Sequence, residues 1–246
     1  VDDTIDLAES MGITTLQDRE RFGLSLVLGG AEVKLIDITS AYGVFAADGM
    51  RSPWSFIQKV ESSNGSVLEE KESEPKRVLD AQIARMISNI LSDNSARAPV
   101  FGYSSSLYIA GRDVAAKTGT TQENRDAWVI GYSPNLVTGV WTGNNRQQSM
   151  TQQGAGISAA GPMWREFMVK TLESYPNERF VSPSPLSANK VMLNGNYIYT
   201  KDGASAPEYH TILYYVDRKN PTGAFPSDPS KDLQFNNWEW PIQNVY

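Results

Sequence analysis

Three short strand-like segments joined by tight connections constrain this chain more than any other stretch. Asp113-Val114-Ala115-Ala116 runs into Lys117-Thr118-Gly119-Thr120. Trp128 to Tyr132 and Leu136 to Thr142 follow, with Ser133-Pro134-Asn135 as the turn between them. Connections this short join neighbouring strands antiparallel, so the expectation is a three-stranded meander. The end of the first strand also carries chemistry. A cation, a hydroxyl and a glycine in a row suit a strand that holds the carboxylate of an extended peptide. The Lys117 ammonium supplies charge and the Thr118 hydroxyl a directional hydrogen bond. Gly119 lacks the side chain that would hold another backbone at a distance. The plain alternative is an edge strand whose lysine and threonines discourage aggregation.

The flanking sequence reads mostly as helix. Residues 3–11 form the last turns of one helix, with Gly12 as a left-handed stop. An apolar stretch, Gly23 to Gly30, closes on paired glycines. Val33 to Ala47 has apolar residues at helical spacing and ends at Asp48-Gly49. Phe56 to Glu69 is a hairpin in which Asn64-Gly65 supplies positive φ angles. Leu79, Ile83, Met86, Ile87, Ile90 and Leu91 make an apolar stripe behind Asp80 as N-cap, and a polar loop spans Ser92 to Asp113. Gly161-Pro162 is read as the start of the last long helix, with Met163, Trp164, Phe167, Met168, Thr171 and Leu172 on its buried face. Past Pro176, prolines punctuate short strands (Lys190–Leu193, Tyr197–Thr200, His210–Val216). Residues 1–180 are therefore expected as the main domain and 181–246 as a β-rich extension. Trp238, Trp240, Tyr214 and Tyr215 read as docking that extension, or as a partner or glycan surface.

Composition narrows the function. A net charge of −6 without a long basic run argues against a nucleic-acid partner. No apolar run approaches the roughly 18–20 residues of a membrane span, and Val1-Asp2-Asp3 does not open a signal peptide. A protein working outside the cytoplasm would carry its anchor elsewhere. Zero cysteines exclude disulfides and thiolate chemistry. The one histidine, His210, has neither metal-binding company nor a Gly-x-Ser-x-Gly elbow, and reads as a structural or surface residue.

Taken in order, these segments resemble class A penicillin-binding proteins. Phe22 to Gly30 with Ala41 to Gly49 looks like the stretch after that family's second motif. Lys117-Thr118-Gly119-Thr120, Asp126 to Tyr132 and Gly139 to Asn144 are similar to the third motif and its two following strands. Ala160-Gly161-Pro162-Met163-Trp164 resembles the start of the closing helix. A lone Lys-Thr-Gly occurs by composition in roughly one chain of this length in twenty, so the ordered set carries the resemblance.

The resemblance implies an α/β class fold of the α+β type, an antiparallel sheet flanked by helices like that of serine β-lactamases. This chain would be its C-terminal part, and so incomplete. It implies a DD-transpeptidase that cross-links peptidoglycan stem peptides ending in D-Ala-D-Ala through a serine acyl-enzyme. β-Lactams would be a second ligand class; no cofactor or metal is implied. The parent would be anchored in the cytoplasmic membrane, face outward and carry an upstream glycosyltransferase domain. By the same resemblance Lys117 provides positive potential and helps proton traffic, while the Thr118 and Thr120 hydroxyls bind the substrate carboxylate. Gly119 admits the substrate backbone. The Thr120 N–H is one of two oxyanion donors, a contact typically worth about 2.7–4 kcal/mol of barrier.

The family's nucleophile motif, Ser-x-x-Lys, has two look-alikes here. Ser73-Glu74-Pro75-Lys76 lies in a charged linker and Ser187-Ala188-Asn189-Lys190 runs into a strand. Ser62, Ser92, Ser133 and Ser187 each begin a Ser-x-Asn, the pattern of the second motif. The expectation is that none is the nucleophile and that it lies on an upstream segment absent from this chain. Two alternatives stay open: a divergent serine hydrolase using Ser73 or Ser92, and a non-catalytic module that binds stem peptides or a partner.

Overall fold

A computed structural model describes residues 1–72, 74–151 and 156–185, with a short strand pair at 198–199 and 208–209. The chain divides into two compact units, Val1–Pro183 and Ser184–Tyr246. In the first unit, helix α1 (Asp2–Met11) ends at Gly12, whose φ of 114° lets its N–H reach back to the Ala8 and Glu9 carbonyls. Two 3₁₀ turns, Arg19–Arg21 and Leu24–Leu28, lead to α2 (Leu35–Ala46). The two-residue strand β1 (Met50–Arg51) follows. Then come the hairpin strands β2 (Lys59–Glu61) and β3 (Val67–Glu70), and β4 (Lys76–Arg77), which returns to pair with β1. Only Gly65 of the hairpin turn has positive φ, so the expected Asn64-Gly65 pair of left-handed residues is corrected. The Gly65 N–H bonds to the Ser62 carbonyl, making a longer turn with a bulged register beyond it.

Asp80 caps α3 (Ala81–Ser92) as expected, accepting the Gln82 N–H at 2.8 Å. The apolar stripe of α3 is only partly covered, however: Ala84 and Ser88 are buried, whereas Ile83 and Ile90 are exposed. The expected polar loop contains a further helix, α4 (Asn94–Phe101), capped by Asp93 through the Ala96 N–H and holding Pro99 inside it. Strands β5 (Ala115–Thr120), β6 (Asp126–Ser133) and β7 (Leu136–Gly143) form the expected antiparallel meander in the order β5-β6-β7. Helix α5 (Gly156–Leu172) closes the unit. It begins before Gly161-Pro162, so Pro162 sits inside the helix rather than at its start.

Helices pack on both faces of the meander. On one face, Gly139 makes room for α2: a Cβ there would lie 2.0 Å from the Thr39 hydroxyl. The same face buries Tyr132 against Tyr42 and Phe45 of α2, and the Tyr132 hydroxyl meets Ser88 of α3 at 3.0 Å. On the other face, Ala160, Trp164, Met168 and Leu172 of α5 pack with Ala116 and Val129. The Trp164 indole donates to the Thr138 carbonyl at 3.1 Å. Met163 and Phe167, expected inside, are about half exposed (50% and 51%), because residues four apart share a helix face and Trp164 sets which face turns inward. The Arg112 guanidinium caps the far end of α5, donating to the Leu172, Tyr175 and Pro176 carbonyls. In the second unit, β8 (Ile198–Tyr199) pairs antiparallel with β9 (Glu208–Tyr209). The expected strands at 190–193 and 210–216 lie outside the described residues.

Candidate active site

Lys117, Thr118, Gly119 and Thr120 occupy the last two-thirds of β5, and among the described residues β5 pairs only with β6. Among those residues its other edge is open. The Thr121 N–H donates to the Asp126 carbonyl at 3.1 Å, which makes residues 121 and 126 a hydrogen-bonded pair just beyond the strand. Antiparallel pairs alternate. Following the register back, Lys117 and Gly119 turn their backbone N–H and C=O groups towards β6, opposite Ile130 and Trp128. Thr118 and Thr120 therefore turn theirs outward, to the open edge.

Side chains alternate in the other direction. Lys117 and Gly119 belong to the face that carries α2 and α3, while Thr118 and Thr120 belong to the α5 face. Cation and hydroxyls are thus not side by side; they converge only at the edge between the faces. The exposed Lys117 ammonium already reaches that edge, donating to the Thr118 carbonyl at 2.7 Å. A ligand taking both the cation and a hydroxyl has to lie along the strand, as a paired peptide does.

Gly119 is not demanded by the fold. Its φ is not left-handed, and a Cβ there would meet its nearest neighbour, the Trp128 Cβ, at an ordinary 3.4 Å. With no side chain of its own, Gly119 leaves the strand slender at this point, which suits an approaching backbone.

Sequence reasoning missed the support beneath the strand. The Asp126 carboxylate accepts from the Thr121 hydroxyl and from the Trp141 indole N–H, each at 2.8 Å. Trp141 in turn packs against Trp128, with ring centroids 6.3 Å apart. Thr-x-x-x-x-Asp across a tight connection was a visible signal for the first bond. The second depends on the β6–β7 register.

The serine look-alikes that the structure describes are spoken for locally. The Ser62 hydroxyl closes the hairpin turn on the Ser66 carbonyl, and the Ser133 hydroxyl accepts the Asn135 N–H at the β6–β7 turn. The Ser92 hydroxyl donates to the Asn89 carbonyl at the end of α3, and Asn94 bonds the Tyr103 carbonyl. Ser92 and Asn94 do line a cleft of about 380 Å³, together with Arg97, Asp113 and Val114, but none of residues 117–120 reaches it. Burial lowers the Arg97 pKa, with Asp93 pulling the other way. Ser73, Ser187, His210, Tyr214, Tyr215, Trp238 and Trp240 lie outside the described residues. Among the described residues, no three His, Cys, Asp or Glu side chains converge as a metal site would require.

Comparison with known proteins gives a consistent result. The family model for the penicillin binding protein transpeptidase domain matches residues 6–169. The chain is 39% identical over 160 residues to penicillin-binding protein 1A of Aquifex aeolicus, covering 65% of this chain and 21% of that one. Among solved structures it resembles penicillin-binding protein PonA1 from Mycobacterium tuberculosis, with a TM-score of 0.60 and 33% identity over 72% of this chain and 51% of that one. The same protein in complex with penicillin V matches with a TM-score of 0.59 and 35% identity, at the same coverage. The chain thus spans about a fifth of the length of penicillin-binding protein 1A of Aquifex aeolicus and of Mycobacterium tuberculosis.

Proposed function

The chain belongs to the penicillin binding protein transpeptidase domain family, and from that premise we propose that the open edge of β5 is one wall of a peptidoglycan DD-transpeptidase site. A stem peptide ending in D-Ala-D-Ala lies along β5 as an added strand and pairs with the outward backbone groups of Thr118 and Thr120. Its carboxylate takes the Lys117 ammonium, together with the threonine hydroxyls that border the edge. The Thr120 N–H is one of two donors to the oxyanion that forms when a serine attacks the scissile carbonyl. The serine–acyl bond forms as D-alanine leaves, and an amine of a second stem then takes the acyl group and frees the serine.

We assign the serine and its lysine base to a segment outside these 246 residues; Ser62, Ser92 and Ser133 hold turns and helix ends, and Ser73 and Ser187 lie outside the described residues. By the same family reading the parent protein acts on the outer side of the cytoplasmic membrane, with an anchor and a glycosyltransferase domain upstream. β-Lactams take the stem-peptide position; the relative PonA1 has been solved in complex with penicillin V.

The observation that carries this reading is an unpaired strand edge with a lysine ammonium drawn onto it. Titrating the chain with an acetylated peptide ending in D-Ala-D-Ala tests it. Saturable binding that Lys117→Ala weakens about tenfold, or 1.4 kcal/mol, is expected; no binding, or binding indifferent to Lys117, refutes it. Labelled penicillin should add no covalent mass to this chain. A stoichiometric adduct on Ser73 or Ser92 would replace the reading with a divergent serine hydrolase.

A further inference from the structure

We propose that Asp126 is a positioning residue for the β5 edge, setting the direction in which the Thr120 N–H points. The inference deepens the reading of that edge as a peptide-binding wall and rests on it. Four hydrogen bonds converge on this one residue. Its carboxylate accepts the Thr121 hydroxyl and the Trp141 indole N–H, each at 2.8 Å. Its own N–H donates to the Thr121 hydroxyl oxygen at 2.9 Å, and its carbonyl accepts the Thr121 N–H at 3.1 Å. Thr121 directly follows Thr120, so any slack in this clamp passes straight to the proposed oxyanion donor.

Inside the connection one backbone bond, from the Asn124 N–H to the Thr121 carbonyl at 3.2 Å, closes the first turn but does not reach Asp126. Glu123 and Asn124 both have left-handed backbones, with φ of 59° and 53°, a conformation that non-glycine residues adopt at a cost. The Glu123–Arg125 ion pair inside the loop is exposed and stabilises little. The Asn124 carbonyl accepts the Met150 N–H at 2.9 Å, which steadies the loop's outer side but not its closure. Trp141 comes from β7, so one carboxylate links the end of β5 to the third strand. Trp141 also backs the Trp128 ring, whose Cδ1 would lie 3.9 Å from a Cβ on Gly119. The orientation of Thr120 and the surface over Gly119 therefore share a single support.

Amide NMR and hydrogen exchange on the whole chain, for wild type, Asp126→Leu, Asp126→Asn and Trp141→Phe, test this. Asp126→Leu should shift the Thr120 signal and speed exchange of the Gly119 and Thr121 amides about tenfold or more, with Val129 and Met168 still protected. It should also weaken binding of the D-Ala-D-Ala peptide about tenfold. Asp126→Asn keeps an acceptor for Trp141 and a donor for Thr121, and should restore both properties to within about twofold of wild type. Trp141→Phe removes one bond only and should fall between. Wild-type exchange in Asp126→Leu, or a loss of protection spread evenly through the core, overturns the proposal. Should Asp126→Leu fail to fold, unchanged Thr121 exchange in Trp141→Phe overturns it instead. If the wild-type chain binds no peptide, the reading of the edge fails while the exchange data still decide the role of Asp126.

Discussion

Gly131 and Gly119 lie on neighbouring strands and answer to different demands. A Cβ on Gly131 would sit 2.4 Å from the Trp164 ring and 2.8 Å from the Ala115 carbonyl, both in the core. Gly131→Ala is therefore expected to force Trp164 off Thr138 and cost about 1–3 kcal/mol in urea denaturation. Gly119→Ala meets no such obstacle, and should leave stability within about 0.5 kcal/mol while weakening D-Ala-D-Ala peptide binding at the edge. Tyr132 makes a pH-dependent contribution. Burial pushes its pKa up to about 12, with Ser88 opposing through its hydrogen bond and nearby Tyr42 adding slightly. The folded protein thus keeps a proton that the unfolded chain gives up near the ordinary value of about 10. Stability is full below about pH 10 and falls by roughly 1.4 kcal/mol per unit as pH rises towards 12. Urea midpoints across that window should fall more steeply for wild type than for Tyr132→Phe; equal slopes would remove Tyr132 as the cause.

At the level of elements, the local rules located most strands and helices and failed where packing decided. The meander was legible because each strand and turn is encoded within a few residues. Helix α4 was not: Ala96, Arg97, Ala98 and the Asp93 cap favour helix, but Asn94, Ser95 and Pro99 among them read as loop. Pro162 was read as a helix start because proline suits the first turn. Instead α5 runs through it, drawn by the burial of Ala160 ahead of Trp164. A proline inside a helix removes one backbone bond and crowds the preceding turn. Pro162→Ala is accordingly expected to stabilise the unit by roughly 1–3 kcal/mol, read as a higher urea midpoint at unchanged slope. A fall in midpoint would show that the proline ring itself is needed for packing.

For the whole molecule, the exposed apolar surface is uneven. Leu24, Val27 and Leu28 share one 3₁₀ turn and are 88%, 83% and 87% exposed, whereas their neighbour Leu26 packs into the α1–α2 core. Scattered exposed leucines need no explanation, but three on one turn favour association. Replacing the three with serine should lower concentration-dependent light scattering and leave the denaturation midpoint within about 0.5 kcal/mol. Unchanged scattering would place the sticky surface elsewhere. The sequence by itself determined the order of strands and turns, the Lys117–Thr120 segment that the site is built on, and the family those segments belong to. These are local patterns, written within a strand or a turn. Only the tertiary structure decided that Thr118 and Thr120 turn their backbone outward, that the Lys117 ammonium lies on that edge, and that Asp126 is held by Trp141 from two strands away. Register and pairing fix which side of a strand faces a neighbour, and they arise from packing between segments that no single stretch of sequence contains.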